Sequence, residues 1–227
     1  MRGASESASH WSPAWRATIF ALASSSLGCL LVDFYGICPM RTFAGAIFVP
    51  AMVVLGGLAV FSHLEDNGEL KRAVTIGAIG GLMAAVAYDL FRLPFVFARE
   101  WGIAGVIPAL DLFKVFPAFG ALLLGQPIQQ VHYSLAAHYL GWAYHFSNGL
   151  TIGVMYLALI GAGARRHWSW AVLLAMGLEA GMLFTPYPRV FGIPVTLRFV
   201  VVTLTAHAVF GVCLGLCVKT LSRRFPE

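Results

Sequence analysis

The amino-acid sequence predicts an all-helical bundle embedded in a membrane. Hydrophobic residues make up 59% of the 227 positions and charged residues only 11%, and the mean hydropathy is +0.79. A soluble globular domain carries about 25% charged residues. A helix needs about 20 mainly apolar residues to cross a bilayer, and six segments of this kind occur. These observations predict one integral membrane domain over residues 1–227, with the lipid bilayer as its surroundings.

Six apolar segments occupy nearly the whole chain, and each is a predicted spanning helix. In order they cover residues 15–37, 43–63, 73–96, 133–161, 168–185 and 195–218. Residues 1–14 are predicted to be a short cytoplasmic N-terminal segment, and residues 219–227 a basic cytoplasmic tail. No stretch between the six segments is long enough to fold as a separate soluble domain.

The segment 99–132 is ambiguous, because residues 103–125 are long and apolar enough to cross but contain prolines and the charged Asp111 and Lys114. With six spans, most basic residues near the helix ends lie on the inner side, as the positive-inside rule requires. A seventh span would move the basic tail to the outer side. We therefore predict an outer interfacial or re-entrant segment, in which Asp111 and Lys114 form an i,i+3 pair, and two cytoplasmic termini.

The formal net charge of +5 could indicate a nucleic-acid partner. The basic residues lie at the ends of the apolar segments, however, and do not form one continuous stripe. Membrane topology therefore accounts for the charge, and no nucleic-acid partner is predicted.

Two histidines open the same motif, His-x-x-x-Gly-x-x-x-Gly, and each lies near the middle of an apolar segment. The motifs consist of His145, Gly149 and Gly153, and of His207, Gly211 and Gly215. An ionisable side chain at membrane depth is costly and usually faces the interior of the bundle. Glycines four residues apart let helix backbones approach closely. The predicted packing residues are Gly141, Gly149, Gly153, Gly211 and Gly215.

Carboxylates lie at comparable depths in the neighbouring segments. Glu179 is midway along the fifth segment, whereas Asp89 lies nearer the outer end of the third, with Arg92 three residues later. A buried carboxylate needs a partner to remain charged. We expect Asp89 to pair with Arg92 or Lys114, and Glu179 to pair with one of the two histidines. The predicted midplane site comprises His145, His207 and Glu179, with His138 and Asp89 as further members.

The sequence predicts a repeated unit, which is a helical hairpin. Residues 81–94 align with residues 177–186, and each stretch is followed by an outer aromatic and proline-rich connection and then by a histidine motif helix. A fainter third copy is the first hairpin, in which Val49 takes the position of the histidine. Three like-oriented hairpins would bury one another's polar faces, as in internally repeated transporters.

The site leaves three functions open. The first is transport or permeation of a small solute or ion, with a proton-linked form among the options, because histidine and glutamate titrate at accessible pH. The second is ligation of a transition metal or haem by His145, His207 and Glu179. The third is a structural or assembly role, in a homo-oligomer or a membrane complex. The sequence favours transport, since broken, proline-rich connections over a polar midplane suit a gated cavity.

Two resemblances bear on these functions. The His207 motif resembles the last helix of rhomboid proteases, but the chain lacks their Gly-x-Ser-Gly motif, so no enzyme is predicted. Residues 141–156, Gly-Trp-Ala-Tyr-His-Phe-Ser-Asn-Gly-Leu-Thr-Ile-Gly-Val-Met-Tyr, together with residues 207–215 and Gly80-Gly81, resemble the YagU-like inner-membrane proteins of bacteria. This resemblance covers residues 73–218. It implies a multi-pass protein of the bacterial cytoplasmic membrane, and the family is largely of unknown function.

Overall fold

The computed structural model describes residues 12–64, 68–161 and 167–224, and within these ranges the secondary structure is helical, with no strand. The helices are α1 (Pro13–Phe34), α2 (Met40–Phe43), α3 (Val49–Leu64), α4 (Gly68–Val96), α5 (Val115–Leu124), α6 (Leu135–Ile160), α7 (Ser169–Leu183), α8 (Tyr187–Val190) and α9 (Leu197–Arg224), and a π-helix (Ala44–Phe48) joins α2 to α3. All six predicted segments are helical. The predicted all-helical fold class is therefore confirmed.

Four helices are long and apolar enough to cross a membrane. They are Pro13–Phe34, Met40–Phe61, Arg72–Val96 and Leu197–Arg224. Helix α6 has 26 residues with a polar centre, and α7 is an apolar helix of 15 residues. By length and composition, the chain is thus a membrane protein, with four candidate spans among the residues that the structure describes. Helix α9 continues as far as Arg224, so most of the predicted tail at 219–227 continues that helix.

Local sequence signals explain several helix ends. The hydroxyls of Ser12 and Ser134 cap α1 and α6 by accepting a hydrogen bond from the backbone N–H three residues later, at 3.2 Å in each case. Helices α5 and α6 end at Gly125 and Gly161, with φ of 69° and 71°. Glycine tolerates this left-handed region without the steric cost that a Cβ would add.

The long helices form three hairpins: α1 with α3, α4 with α6, and α7 with α9. In the second hairpin, Gly149 lies against Gly81, and Gly153 against Gly77. In the third, Gly211 lies against Val172, and Gly215 against Trp168. In both hairpins, residues later in one helix meet residues earlier in the other, so these paired helices are antiparallel. Helix α4 also packs against α9, with the ring of Tyr88 on α4 near that of His207.

The hairpins recur in the same orientation, but the structural register differs from the sequence alignment. In the second hairpin, Gly81 meets Gly149. Gly211 holds the position of Gly149 in the third hairpin, and the residue that it meets is Val172. The sequence had aligned Gly81 with Gly177, which meets nothing within 4 Å of an added Cβ. In the first hairpin, Val49 is 52% exposed. That hairpin therefore shares the topology of the others without their interior motif.

Helix α5 is a buried half-helix. Its 10 residues rise about 15 Å, half the thickness of the hydrocarbon core. It packs against the first half of α6, where added Cβ atoms at Gly120 and Gly141 would overlap the backbone of Ala137 and Phe116 respectively. Such close packing requires glycine, because no side-chain rotation relieves a contact with backbone.

The predicted pairing of Asp111 with Lys114 is wrong. The backbone N–H of Lys114 donates to the carbonyl of Asp111 at 3.2 Å, which forms a turn just before α5. Both side chains are exposed, and among the described residues no ion pair joins them. A solvated pair of this kind gains little over two separately hydrated charges.

Candidate midplane site

The first His–carboxylate pair joins α4 to α6. Nε2 of His145 lies 2.9 Å from Oδ2 of Asp89, and Nη1 of Arg92 lies 3.3 Å from Oδ1 of the same carboxylate. Since a carboxylate accepts hydrogen bonds, the Nε2–H of His145 donates to it. Asp89 is therefore bound by two partners, and the predicted Arg92 partner is one of them.

Arg92 is 5% exposed and is held on several sides. Its Nη2 donates to the carbonyl oxygen of Leu112, just before α5. The guanidinium carbon also lies 4.6 Å from the ring centre of Tyr88, 5.0 Å from that of Phe113 and 5.3 Å from that of Phe116. Aromatic faces attract a guanidinium, more strongly where water is excluded. Arg92 thus connects the carboxylate on α4 to the start of α5.

The second pair joins α7 to α9. Nε2 of His207 lies 3.5 Å from Oε2 of Glu179, and the hydroxyl of Thr203 donates to Oε1 at 2.6 Å. Nδ1 of His207 lies 2.9 Å from the carbonyl oxygen of Thr203. Because a carbonyl oxygen only accepts, Nδ1 carries a hydrogen. Attraction between Nε2 and Oε2 then requires one further proton, on the imidazole or on the carboxyl group.

His145 of the first pair and both members of the second pair line one cavity of about 150 Å³ in the bundle. The ring of Tyr88 lies between them, with its centre 4.8 Å from that of His207 and 6.0 Å from that of His145. The polar and charged residues that line this midplane cavity include Tyr88, Arg92, His145, Asn148, Glu179 and His207. The two hairpins therefore contribute to a single site.

Asn148 adds a hydrogen-bonding group to the cavity wall. Its Oδ1 is buried and accepts no hydrogen bond from the described residues. A buried acceptor without a partner costs about 1–3 kcal/mol. Asn148 lines the cavity three positions after His145 on α6.

The predicted site residues separate into three groups. His145, His207 and Glu179 line the midplane cavity, whereas Asp89 lies behind His145 and holds its imidazole. His138 does not belong to the site. It is exposed near the start of α6, with its ring 6.3 Å from that of Tyr133. Seven residues separate it from His145, or about 10 Å along a helix axis, which removes it from the cavity.

The sequence did not predict Tyr88 and Asn148 as site residues, and it predicted Arg92 only as a partner of Asp89. Tyr88 precedes Asp89 directly, but an aromatic residue in an apolar segment gave no signal of its own. Asn148 gave a signal that could have been used, since an amide at the centre of a predicted span is costly without a partner. Arg92 was expected only as a structural partner of Asp89, yet it also lines the cavity.

The five glycines predicted to pack helices all lie at close helix contacts. A Cβ added at Gly153 would overlap the backbone of α4, and one at Gly211 would overlap the backbone of α7. At Gly215 it would lie 2.5 Å from the carbonyl oxygen of Trp168, and at Gly149 2.6 Å from the Cβ of Ala85. The contact at Gly141 is with the half-helix α5. These approaches bring the histidines of α6 and α9 within reach of their carboxylates.

The geometry does not favour the predicted metal site. His145 pairs with Asp89, and His207 with Glu179, so His145, His207 and Glu179 do not converge as three ligands. Within the described ranges, no group of three or more His, Cys, Asp or Glu side chains could hold a metal ion.

No protein-family model, curated protein or solved structure matches the chain. The resemblance to the YagU-like proteins therefore stays a prediction from the sequence.

Proposed function

We propose that this protein moves a small polar solute or ion across the bacterial cytoplasmic membrane, and that proton movement is linked to the transport. The observation that carries this proposal is the midplane cavity, because His145, Glu179 and His207 line it and Asp89 holds His145 from behind. Ionisable residues inside a membrane bundle are costly, and they commonly line solute or proton pathways.

The proposed topology has six spans and cytoplasmic termini. Helices α1, α2–α3, α4, α6, α7 and α9 cross, while α5 and α8 lie in the outer half. The three hairpins have one orientation, so the start of α1 and the ends of α6 and α9 lie together. At this end, Arg16 donates to the carbonyl oxygens of Ala158 and Leu159. Arg223 and Arg224 also lie there, and the positive-inside rule makes this side cytoplasmic.

The pairing of His207 with Glu179 supports a link to protons. The pair is attractive only while a proton lies on Nε2 or on the carboxyl group. When that proton leaves, a lone pair of the imidazole faces a carboxylate, and the two side chains repel each other. Proton loss would therefore change both the charge of the cavity wall and the distance between α7 and α9, as a proton-linked transporter requires.

Cavity size limits the solute. A cavity of 150 Å³ is about the volume that holds one benzene molecule in an engineered protein. We therefore propose a solute of about six heavy atoms, such as a short polyol, an amide or a small organic acid. The amide of Asn148 and the hydroxyl of Tyr88 would provide its hydrogen bonds.

The test is flux in proteoliposomes. Vesicles with purified protein are exposed to gradients of urea, glycerol and acetate, while light scattering reports solute entry and an enclosed pH dye reports protons. We expect at least one solute to enter faster than into protein-free vesicles, with a proton signal that His145→Ala or Glu179→Gln abolishes. His138→Ala is the matched control and should behave as wild type. Flux equal to protein-free vesicles for every probe would refute the proposal, as would a normal proton signal in both site variants.

A structural or assembly role is the second candidate, because one face of the first hairpin is open. Only 22% of the apolar window in Met40–Phe61 is buried, and added Cβ atoms at Gly45, Gly56 and Gly57 meet nothing within 4 Å. Small residues of this kind suit close contact with another membrane helix. Native mass measurement in detergent tests this role, and a strict monomer without a co-purifying partner would count against it.

A further inference from the structure

A second cavity, of about 450 Å³, lies beside the first turn of α5 and the end of α8. We call it the outer vestibule. It is bordered by α5, by the connection between α5 and α6, and by α8 with the residues that follow it. Its lining includes Lys114, Ala118, Ile128, Tyr133, Val190 and Phe191. The outer vestibule is larger than the midplane cavity, so it does not limit the size of a solute that reaches it.

Helix α5 separates the outer vestibule from the midplane cavity. Lys114 and Ala118 line the vestibule, whereas Phe116 and Phe119 line the midplane cavity. Val115 lines both cavities and is only 7% exposed. One residue of α5 therefore borders the two spaces.

The rest of the wall is aromatic and joins α5 to α8. The ring centre of Phe119 lies 5.2 Å from that of Phe191 and 6.4 Å from that of Tyr187. Tyr187 faces the midplane cavity and Phe191 the outer vestibule. Burial raises the pKa of Tyr187 far above its usual range, so its hydroxyl stays neutral. Between α5 and α8, this part of the wall therefore consists of uncharged rings.

Arg92 connects the midplane site to this wall. It binds the carbonyl of Leu112, three residues before Val115, and its guanidinium lies over the ring of Phe116. Through Asp89 it also shares a carboxylate with His145. A change in the His145 pair would therefore be transmitted to the first turn of α5 by direct contacts, which makes Arg92 a positioning residue for this helix.

We propose that α5 is the outer gate of the transport pathway and that Val115 is the residue that selects solutes by size. Small polar solutes enter the outer vestibule, pass Val115 when α5 moves, and reach the midplane cavity. This inference rests on the proposed transport function.

The test compares two valines of equal size. Val115 lines both cavities, whereas Val190 lines the outer vestibule alone. Flux of ethylene glycol and of the larger polyol glycerol is measured in proteoliposomes for Val115→Ala, Val190→Ala and wild type. We expect Val115→Ala to raise the ratio of glycerol to ethylene glycol flux about tenfold, since a methylene in a fitted passage is worth at least that factor. Val190→Ala should leave the ratio unchanged.

A second measurement avoids dependence on the folding of an alanine variant. Val115→Cys and Val190→Cys are treated with a membrane-impermeant methanethiosulfonate reagent from the outer side. Modification at position 115 should lower glycerol flux about tenfold, whereas modification at 190 should leave most of it. The native cysteines Cys29, Cys38, Cys213 and Cys217 line neither cavity, so the treated wild type is the control.

The outcomes separate the gate from the transport function. If the wild type conducts glycerol and changes at 115 and 190 have the same effect, Val115 is not the size-selecting residue and the proposed transport survives. If neither the wild type nor any variant conducts either polyol above protein-free vesicles, the proposed pathway fails, and the gate with it. A size ratio that changes only at 115 supports both.

Discussion

A methyl group added at Gly153 tests the packing of α4 against α6 and its effect on the site. In Gly153→Ala, the new Cβ would overlap the carbonyl oxygen of Gly77 and lie 2.8 Å from both N and Cα of Gly81. Carbon contacts are ordinarily about 3.5–4.0 Å. The neighbours are backbone atoms, so relief requires the helices to separate by about 1 Å.

The cost follows from that separation. Overpacking of this kind costs about 1–3 kcal/mol, and for a chain of this length each kcal/mol lowers the unfolding midpoint by about 2–4 °C. The shift also affects the site, because Nε2 of His145 and Oδ2 of Asp89 are 2.9 Å apart. Moving α6 by about 1 Å as a rigid body would exceed the hydrogen-bond limit of about 3.2 Å.

The assay is thermal unfolding in detergent, followed by circular dichroism, with flux in proteoliposomes as the second readout. The matched control is Gly177→Ala on α7, where an added Cβ meets nothing within 4 Å. We expect Gly153→Ala to lower the midpoint by several degrees, about 2–12 °C from these two ranges, and to reduce flux. Gly177→Ala should do neither. An unchanged midpoint in Gly153→Ala, or equal losses in both variants, would refute the packing argument.

Three further predictions concern side chains that link helices. Arg92→Lys should speed hydrogen exchange over residues 115–124, because an ammonium cannot hold a carboxylate, a carbonyl and several rings at once; unchanged exchange would show that Arg92 does not hold α5. Thr203→Val should cost about 1–3 kcal/mol in unfolding free energy, since Glu179 loses its 2.6 Å donor, and a loss below this range would contradict that role. Tyr144→Phe removes the 2.5 Å hydrogen bond to the Ser26 carbonyl between α6 and α1. It should cost about 0.5–1.5 kcal/mol, measured by denaturant titration, and a more stable variant would argue against that bond.

The candidate site was partly predictable because membrane depth can be estimated along the chain. The sequence placed Glu179 at the depth of the two histidines, and the structure pairs it with His207. It also identified Arg92 as a partner for Asp89. The sequence did not show that His145 is the second partner of Asp89, because close contacts between backbones decide which helices are neighbours. The same limitation explains the misplaced repeat, in which Gly81 was aligned with Gly177 and the structural equivalent is Val172.

By itself the sequence determined an all-helical membrane protein and the order of its helices along the chain. Hydropathy and helix geometry act locally, so a window of about 20 residues carries that information. Only the tertiary structure decided which carboxylate each histidine meets, and that Val115 of α5 borders two cavities. Those features depend on the rotation and spacing of helices distant in sequence, which the glycine contacts between backbones set.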